Sequence, residues 1–240
     1  AVWLPYAAGR VDLSTARYQR LARAALLMGR WLLNGTGPGG GALFSAVLFH
    51  AFEDMTLPEL QVFMTPMIID ENLGSGDRDN APLLQRLGRR LLVRGRKVAR
   101  PGLQIDINLE RPQSLGTVRL RSADPLDHPR IDPNFLSHPG DIDALVRGVA
   151  AMREVMARPE IARYHQGEIG VWKDAVAREH VVEAIRKTAY TGHHPCSTAR
   201  MGTALDAVLA EQLRVRGIDG LRVCDAAAMP TQITGNLYAT

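Results

Sequence analysis

Hydrophobic residues follow two different spacings along this chain. Apolar side chains recur every three or four positions over 13–33, 141–156 and 172–190. This spacing predicts three amphipathic helices, because positions three and four apart share one face of a helix. The first helix is expected to end at Asn34-Gly35, a pair that commonly terminates helices.

Between the first and second helices the spacing changes to two. Apolar and polar residues alternate over 103–109 and again over 117–121, which predicts strands with one apolar and one polar face. The segment 111–116 reads as a turn between them. We therefore expect an antiparallel pair whose polar face is solvated.

The other segments have weaker patterns. Residues 60–69 predict a strand, and 221–225 predict a short buried strand that ends in a carboxylate. Three further segments are expected to be a strand or buried helix, a loop, and a short helix or irregular basic segment: 42–52, 70–82 and 83–93. Helices and strands in this order indicate an α+β unit followed by a returning segment.

A glycine-rich segment follows the first helix. Gly35, Gly37 and Gly40 match the GxGxxG pattern of dinucleotide-binding proteins. That motif needs a strand before it and a helix after it, whereas a helix precedes it here. Pro38 also removes a backbone donor that a phosphate would use. We interpret 35–41 as a flexible loop.

Composition excludes several classes of protein. Hydrophobic residues make up 46% and charged residues 22% of the 240 positions, as in ordinary globular proteins. The basic block 86–97 is interleaved with Leu and Val, and aromatic residues are only 5%, so nucleic-acid binding is not indicated. No apolar run is long enough for a membrane span. Two cysteines without a CxxC motif favour reduced thiols and a cytoplasmic location.

Two adjacent histidines stand out near the carboxyl end. His193 and His194 lie among Gly, Pro and Ser residues, where the backbone permits close approach of a ligand. Histidine is the usual general base near neutral pH, so one of the two is a candidate catalytic base. A metal site with Cys196, or Cys196 as a nucleophile, is the rival interpretation. Neighbouring side chains diverge and no second ligand cluster follows, which disfavours metal.

Two polar residues further along complete the candidate site. Asp225 ends the predicted strand 221–225, a position where sheets often bind ligands. A turn-capping role for this carboxylate is the open alternative. Asn236 follows Gly235 in a turn and offers both a donor and an acceptor.

These motifs resemble the carboxyl-terminal region of the glucose–methanol–choline (GMC) oxidoreductases, which are flavoenzymes that oxidise alcohols. The resemblance covers about 105–240 well and 1–104 loosely. It rests on several motifs in the family's order: Arg111 to Pro125, Ile131 to Leu136, His194 to Gly202, Gly220 to Pro230 and Thr234 to Ala239.

The resemblance implies a role for each matching residue. His194 aligns with the family's catalytic histidine, and Asn236 with a second active-site position that is His or Asn in the family. Asp225 and Ala226 align with residues beside the flavin, and Asn236 and Leu237 with further FAD contacts. His193 stands where the family often has an aromatic residue, which implies a wall of the substrate pocket.

Some positions depart from the family's pattern. Ser197 and Ala199 replace Gly and Cys, and Ala227 replaces a common Ser. Leu237 and Tyr238 replace small polar residues beside Asn236, which weakens the expectation of family-like flavin contacts there.

The resemblance also implies a fold and a division of the chain. Residues 1–190 are expected to form an α+β substrate-binding domain, an antiparallel sheet with helices on one face, incomplete at its amino end. Residues 191–240 are expected to be a returning segment of a Rossmann-like FAD-binding domain. The family's glycine-rich βαβ is absent and both ends read as cut, so the isolated chain is expected to bind FAD poorly and to be inactive.

The implied activity is oxidation of an alcohol by proton abstraction and hydride transfer to flavin N5. Oxygen or a quinone-like compound would be the electron acceptor, and the sequence does not distinguish an oxidase from a dehydrogenase. Two alternatives remain from the residues themselves. One is a truncated α+β binding module without activity, and the other is a Cys/His hydrolase.

Overall fold

The computed structural model describes residues 1–9, 21–36, 44–69 and 99–237. The strands in these ranges are β1 (Val2–Ala8), β2 (Ala46–His50), β3 (Leu60–Thr65), β4 (Ile68–Ile69), β5 (Ala99–Arg100), β6 (Gly102–Leu109), β7 (Thr117–Arg119), β8 (Arg130–Asp132) and β9 (His165–Glu168). The helices are α1 (Leu21–Asn34), α2 (Pro139–Met156), α3 (Pro159–Ala162) and α4 (Arg178–Thr188). Short 3-10 helices form at Gly170–Trp172, Glu211–Leu213 and Ala226–Ala228.

A five-stranded antiparallel sheet organises the fold. Its strand order is β2-β3-β6-β1-β9, so β6 lies at the centre and the amino-terminal strand lies beside it. Ile107 pairs with Val62 on one side and with Val2 on the other. The predicted α+β class with an antiparallel sheet is confirmed.

One face of this sheet is apolar and is covered by helices. Alternate residues of β1, β3 and β6 form a single core cluster with residues of α2 and α4. Helix α2 lies so close that a methyl group on Gly148 would stand 2.7 Å from Leu60 Cδ1. Glycine at this position therefore lets the helix backbone approach the sheet. The expectation of helices on one face is met on this side.

Helix α2 begins with a polar junction that also directs the preceding chain. His138 caps the helix by accepting a hydrogen bond from the Gly140 N–H. The carboxylate of Asp141, in the first turn, accepts from the backbone N–H groups of Gln113 at 2.7 Å and Ser114 at 2.9 Å. The turn after β6 is thus fastened to the amino end of α2.

This junction explains why one predicted pairing is wrong. The strands at 103–109 and 117–121 form, as β6 and β7, but they do not pair with each other. Both edges of β6 are already occupied by β3 and β1, and Asp141 draws the intervening turn away from the sheet. Strand β7 pairs with β8 instead, in a separate two-stranded ladder.

The remaining predicted segments fare unequally. The helix at 141–156 and the strand at 60–69 are confirmed, although the strand is interrupted between β3 and β4. The segment 42–52 contains a strand, β2, and 172–190 contains α4 after a 3-10 turn. Helix α1 confirms part of the helix predicted at 13–33. Three segments lie outside the described residues: 13–20, 37–43 and 70–93. The second of them includes most of the glycine-rich loop.

A helix that crosses a bilayer needs about 20 predominantly apolar residues. In the ranges given above, no helix combines the length and apolarity that crossing a bilayer requires.

Candidate active site

The polar face of the central sheet is buried, not solvated as predicted. Gln104 and Asp106 on β6 and Glu110 just after it are at most 5% exposed, and Gln61 and Thr65 on β3 are equally buried. Three of these residues form hydrogen bonds with the carboxyl-terminal quarter of the chain: Gln61 with Asn236, Glu110 with Gly235 and Asp106 with Tyr190. The alternation at 103–109 therefore separates two buried faces, one packed against helices and one polar.

Asp106 and Tyr190 form the most perturbed pair on this face. Burial raises the pKa of Asp106 to about 6, and hydrogen bonds from Gln104 and Tyr190 offset part of that effect. Burial and the neighbouring Asp106 carboxylate raise the pKa of the Tyr190 phenol above its usual range. The Tyr190 ring also packs edge-on against Trp3, with centroids 4.7 Å apart. These contacts fasten the end of α4, four residues before His194, to the sheet.

The two histidines lie in a strained loop just after this anchor. His193 has a φ of +62°, a conformation uncommon for residues other than glycine, and its N–H donates to Thr191 Oγ1 at 3.0 Å. His193 is exposed, whereas His194 is half-buried. A methyl group on Gly192 would meet Asn108 Oδ1 at 3.4 Å, so the loop passes directly over β6.

Asn236 is held over the neighbouring strand. Its side-chain Oδ1 accepts a hydrogen bond of 2.9 Å from Gln61 Nε2. The Gly235 N–H donates to the Glu110 carboxylate, whose pKa is raised by burial in spite of this bond. Gln61 and Asn108 are direct partners in the β3–β6 ladder. The loop before His194 and the turn carrying Asn236 therefore converge on one cross-strand pair.

The structure corrects the predicted strand at 221–225. This segment has only an isolated bridge, between Arg222 and Arg214, and Leu221 is 47% exposed. No sheet in the described part of the chain extends to it, so the apolar run has no ladder to join. Asp225 instead caps the turn Ala226–Ala228, because its carboxylate accepts from the Ala227 N–H at 2.7 Å. The turn-capping alternative is thus its observed contact.

Backbone hydrogen bonds join this turn to the histidine loop. The N–H groups of Ser197, Ala199 and Met201 donate to the carbonyl groups of three consecutive alanines, Ala226–Ala228. Ala226 is half-buried in this arrangement and Leu237 is 9% exposed. The predicted site residues therefore lie on two connected pieces of backbone, with the Asp225 turn beside the His194 loop.

The rival interpretations find little support in the contacts. Ser197 Oγ donates to Cys196 Sγ at 3.3 Å, and no hydrogen bond between described residues joins Cys196 to a histidine. In the described ranges, no three residues among His, Cys, Asp and Glu are grouped as metal ligands would be. Both cysteines are free thiols.

Sequence reasoning missed the floor of the site. Gln61, Asp106, Glu110 and Tyr190 contact or anchor the candidate residues, yet none was singled out. The alternate polar positions of β6 carry only amides and acids. These residue types are mostly exposed in proteins, so the composition of the strand does not by itself distinguish a buried polar face from a solvated one.

Comparison with known sequences identifies the family. The profile of the GMC oxidoreductase carboxyl-terminal region matches residues 112–240. Oxygen-dependent choline dehydrogenase from Cronobacter sakazakii is 35% identical over 211 residues, which cover 88% of this chain and 34% of that protein. The enzyme of the same name from Escherichia coli O127:H6 is 33% identical over the same shares. The chain thus spans about a third of the length of these curated relatives.

Solved structures share the fold. Pyridoxine 4-oxidase from Mesorbium loti superimposes with a TM-score of 0.67 at 22% identity, covering 99% of this chain and 40% of that one. A formate oxidase variant from Aspergillus oryzae RIB40 superimposes with a TM-score of 0.76 at 20% identity, covering 98% and 42%. At these identities the likeness concerns the fold.

Proposed function

The chain belongs to the GMC oxidoreductase family, and we propose that it is the carboxyl-terminal part of an FAD-dependent enzyme that oxidises an alcohol. The chain's share of its relatives, 34% of their length, supports a larger parent protein. The curated relatives are oxygen-dependent choline dehydrogenases, which supports a CH–OH donor as the substrate class. One observation carries the proposal. The segments bearing His194 and Asn236 meet over a single cross-strand pair, Gln61 and Asn108.

The residues of the Asp225 turn fit a flat cofactor. Asp225 is followed by the three alanines of this turn, of which Ala226 and Ala227 are half-buried and Ala228 is buried, and methyl side chains are small enough to permit the close approach of a planar ring. Asp225 is exposed and its carboxylate holds the turn in shape. In the proposed enzyme Asp225, Ala226, Asn236 and Leu237 would contact FAD. When bound, FAD supplies the two-electron oxidation.

The chain's own residues supply proton transfer and positioning. The imidazole of His194 accepts the hydroxyl proton of the alcohol, a task suited to histidine near neutral pH. The amide of Asn236 donates to the substrate oxygen and holds it in place. His193, exposed at the tip of the loop, forms part of the pocket wall. With the substrate held in this way, its carbinol carbon would give up a hydride, which FAD would accept when bound.

The chain divides into two parts with different proposed roles. Residues 1–190 would be the substrate-binding domain, and 191–240 the carboxyl-terminal segment of the FAD-binding domain. Hydrogen bonds that join Gln61 and Glu110 to the second region support this interpretation, because they make the sheet the floor beneath the active-site motifs.

The experiment that tests the proposal is expression of the full-length protein that contains this chain. We expect flavin absorbance in the purified protein, and oxidation of at least one alcohol from a panel assayed with oxygen and with an artificial quinone-like dye. The 240-residue chain by itself is expected to purify without flavin. A colourless full-length protein that oxidises no alcohol would contradict the proposal, and the ratio of the two acceptor rates separates oxidase from dehydrogenase.

A further inference from the structure

We propose that Gln61 is a positioning residue for the reaction, which sets the direction in which the Asn236 amide faces the substrate. This inference rests on the proposed function and concerns a residue that none of the family motifs includes. Gln61 is the second residue of β3, 175 positions before its partner Asn236.

The contact itself has a defined polarity. Gln61 Nε2 donates to Asn236 Oδ1 at 2.9 Å, which occupies the acceptor end of the Asn236 amide. The acceptor oxygen and the NH₂ group of an amide lie in one plane and point in different directions from the carbonyl carbon. With the oxygen held by the floor, the NH₂ of Asn236 is directed away from it. Asn236 is exposed, so this donor is available to a substrate oxygen.

Gln61 is fixed firmly enough to impose that polarity. Its side chain is 5% exposed and its backbone lies in a ladder with β2 on one side and β6 on the other. A buried amide loses hydration, and a defined hydrogen bond offsets that cost. A residue this constrained can orient its partner, because the partner is the more exposed of the two.

A second buried group, Glu110, which directly follows the adjacent strand β6, fixes the backbone of the same turn. Glu110 is 3% exposed and accepts from the N–H of Gly235, the residue before Asn236. Gly235 has a φ of +123°, which other residues rarely adopt. Glu110 therefore holds the main chain while Gln61 holds the side chain. The two contacts leave the Asn236 amide with little rotational freedom.

The location of Gln61 also links its contact with Asn236 to the proposed base, His194. Its direct ladder partner, Asn108, is the residue over which Gly192 passes, two residues before His194. A change in the Gln61 amide thus acts at the floor shared by the proposed base and the proposed donor. A glutamine with only a structural role needs a hydrogen-bond partner, but that partner need not belong to the active-site motifs. Gln61 instead donates to Asn236 at this junction.

The test uses two variants in the full-length flavoprotein. Gln61→Met keeps the size and removes the donor, and Gln61→Glu keeps the shape but can only accept, which turns the Asn236 amide round. Rapid mixing with the alcohol under anaerobic conditions gives the limiting rate of flavin bleaching and, separately, the alcohol's dissociation constant. We expect the limiting rate to fall about tenfold or more in both variants, since small displacements of positioned groups can cost roughly a hundredfold. The dissociation constant should change less than about threefold.

A double-mutant cycle distinguishes positioning from general damage. In an Asn236→Ala background, Gln61→Met should cause no further loss of rate, because the group it orients is gone. An equal loss in both backgrounds, or an unchanged rate in the single variants, would overturn the inference. Gln61→Glu keeps the test available if Gln61→Met does not fold. A wild-type protein without alcohol oxidation would instead sink the proposed function, so the two failures are distinguishable.

Discussion

The two faces of the central sheet are buried to a similar degree but by different means. On one face, Leu60, Ile105 and Ile107 are at most 4% exposed and pack against helices in the main core cluster. On the other, Gln104 and Asp106 are at most 5% exposed, and hydrogen bonds join Asp106 to Gln104 and to Tyr190 of the carboxyl-terminal region. The first face is held by packing and the second by polar contacts.

This difference assigns the two faces different tasks. Burial of apolar surface is non-directional, and it supplies the largest favourable contribution to the stability of a fold. Polar contacts are directional, so the second face can fix the orientation of loops that carry reactive groups. The segment from 191 onward is largely irregular, so its contacts with the sheet fix the positions of its side chains.

The largest effect is expected on the apolar face. Ile107 is completely buried at the centre of the sheet, and Ile107→Ala should lower the free energy of unfolding by about 2–5 kcal/mol. Urea unfolding followed by circular dichroism measures the loss. Ile131→Ala is the matched control, because Ile131 also lies in a strand but is 65% exposed, and it should change stability by less than about 0.5 kcal/mol. Equal effects would break the contrast between core and surface.

The next effect concerns the polar face and depends on pH. Asp106 has its pKa raised to about 6 by burial, so its protonated form is favoured in the folded state. Its contribution to stability is complete below the unfolded pKa of about 3.9 and is lost as the pH rises through 6, about 3 kcal/mol in all. Asp106→Asn stays neutral and should not show this loss.

The measurement is the difference in unfolding free energy between wild type and Asp106→Asn from pH 4 to pH 8. Taking the difference removes the contributions of all other carboxylates, such as Glu183, whose pKa is lowered chiefly by its hydrogen bond with Lys187. We expect the variant to gain on wild type as the pH rises. A difference that is flat with pH would show that Asp106 is as well solvated when folded as when unfolded.

Above the polar face, His194→Ala should lower turnover in the full-length protein by about a hundredfold or more, which is the usual contribution of a general base. His128→Ala is the control, because His128 lies in an exposed loop outside the candidate site. Steady-state kinetics with the best alcohol of the panel provides the measurement. An unchanged rate in His194→Ala would show that His194 is not the catalytic base. The ordered polar face beneath it would then have no assigned catalytic role.

Much of the sheet could be predicted from the sequence, because β3 and β6 carry strong local patterns. The pairing of β6 could not, since its partner Val2 lies about a hundred positions away and no local signal marks so distant a neighbour. The turn at 111–116 instead suggests a hairpin, and none forms because both edges of β6 are occupied and Asp141 holds Gln113 at the start of α2.

Within the site, the motifs that carry His194 and Asn236 were recognisable, whereas their support was not. Gln61 looks like any glutamine in an alternating strand, and its role depends on a residue 175 positions later. Asp225 was read as the end of a strand because its apolar run resembles one. Leu221 is exposed and no described strand pairs along that run, so burial, which the pattern assumes, is missing.

The smallest effect tests whether every polar group on the second face serves a purpose. Thr65 is fully buried there, opposite Gln104 in the ladder, and among the described residues its Oγ1 has no hydrogen-bond partner. Valine has the same shape and favours strands, so Thr65→Val removes an unsatisfied hydroxyl without leaving a cavity. We expect the free energy of unfolding to rise by about 1 kcal/mol.

Thr117→Val provides the matched control for this change, because Thr117 lies in an exposed strand where its hydroxyl is hydrated. That substitution should alter stability by less than about 0.5 kcal/mol. Denaturant midpoints at constant slope measure both values. If Thr65→Val destabilises the protein by 1 kcal/mol or more, on the scale of a lost hydrogen bond, then the hydroxyl has a partner, and Thr65 takes part in the polar contacts that hold this face.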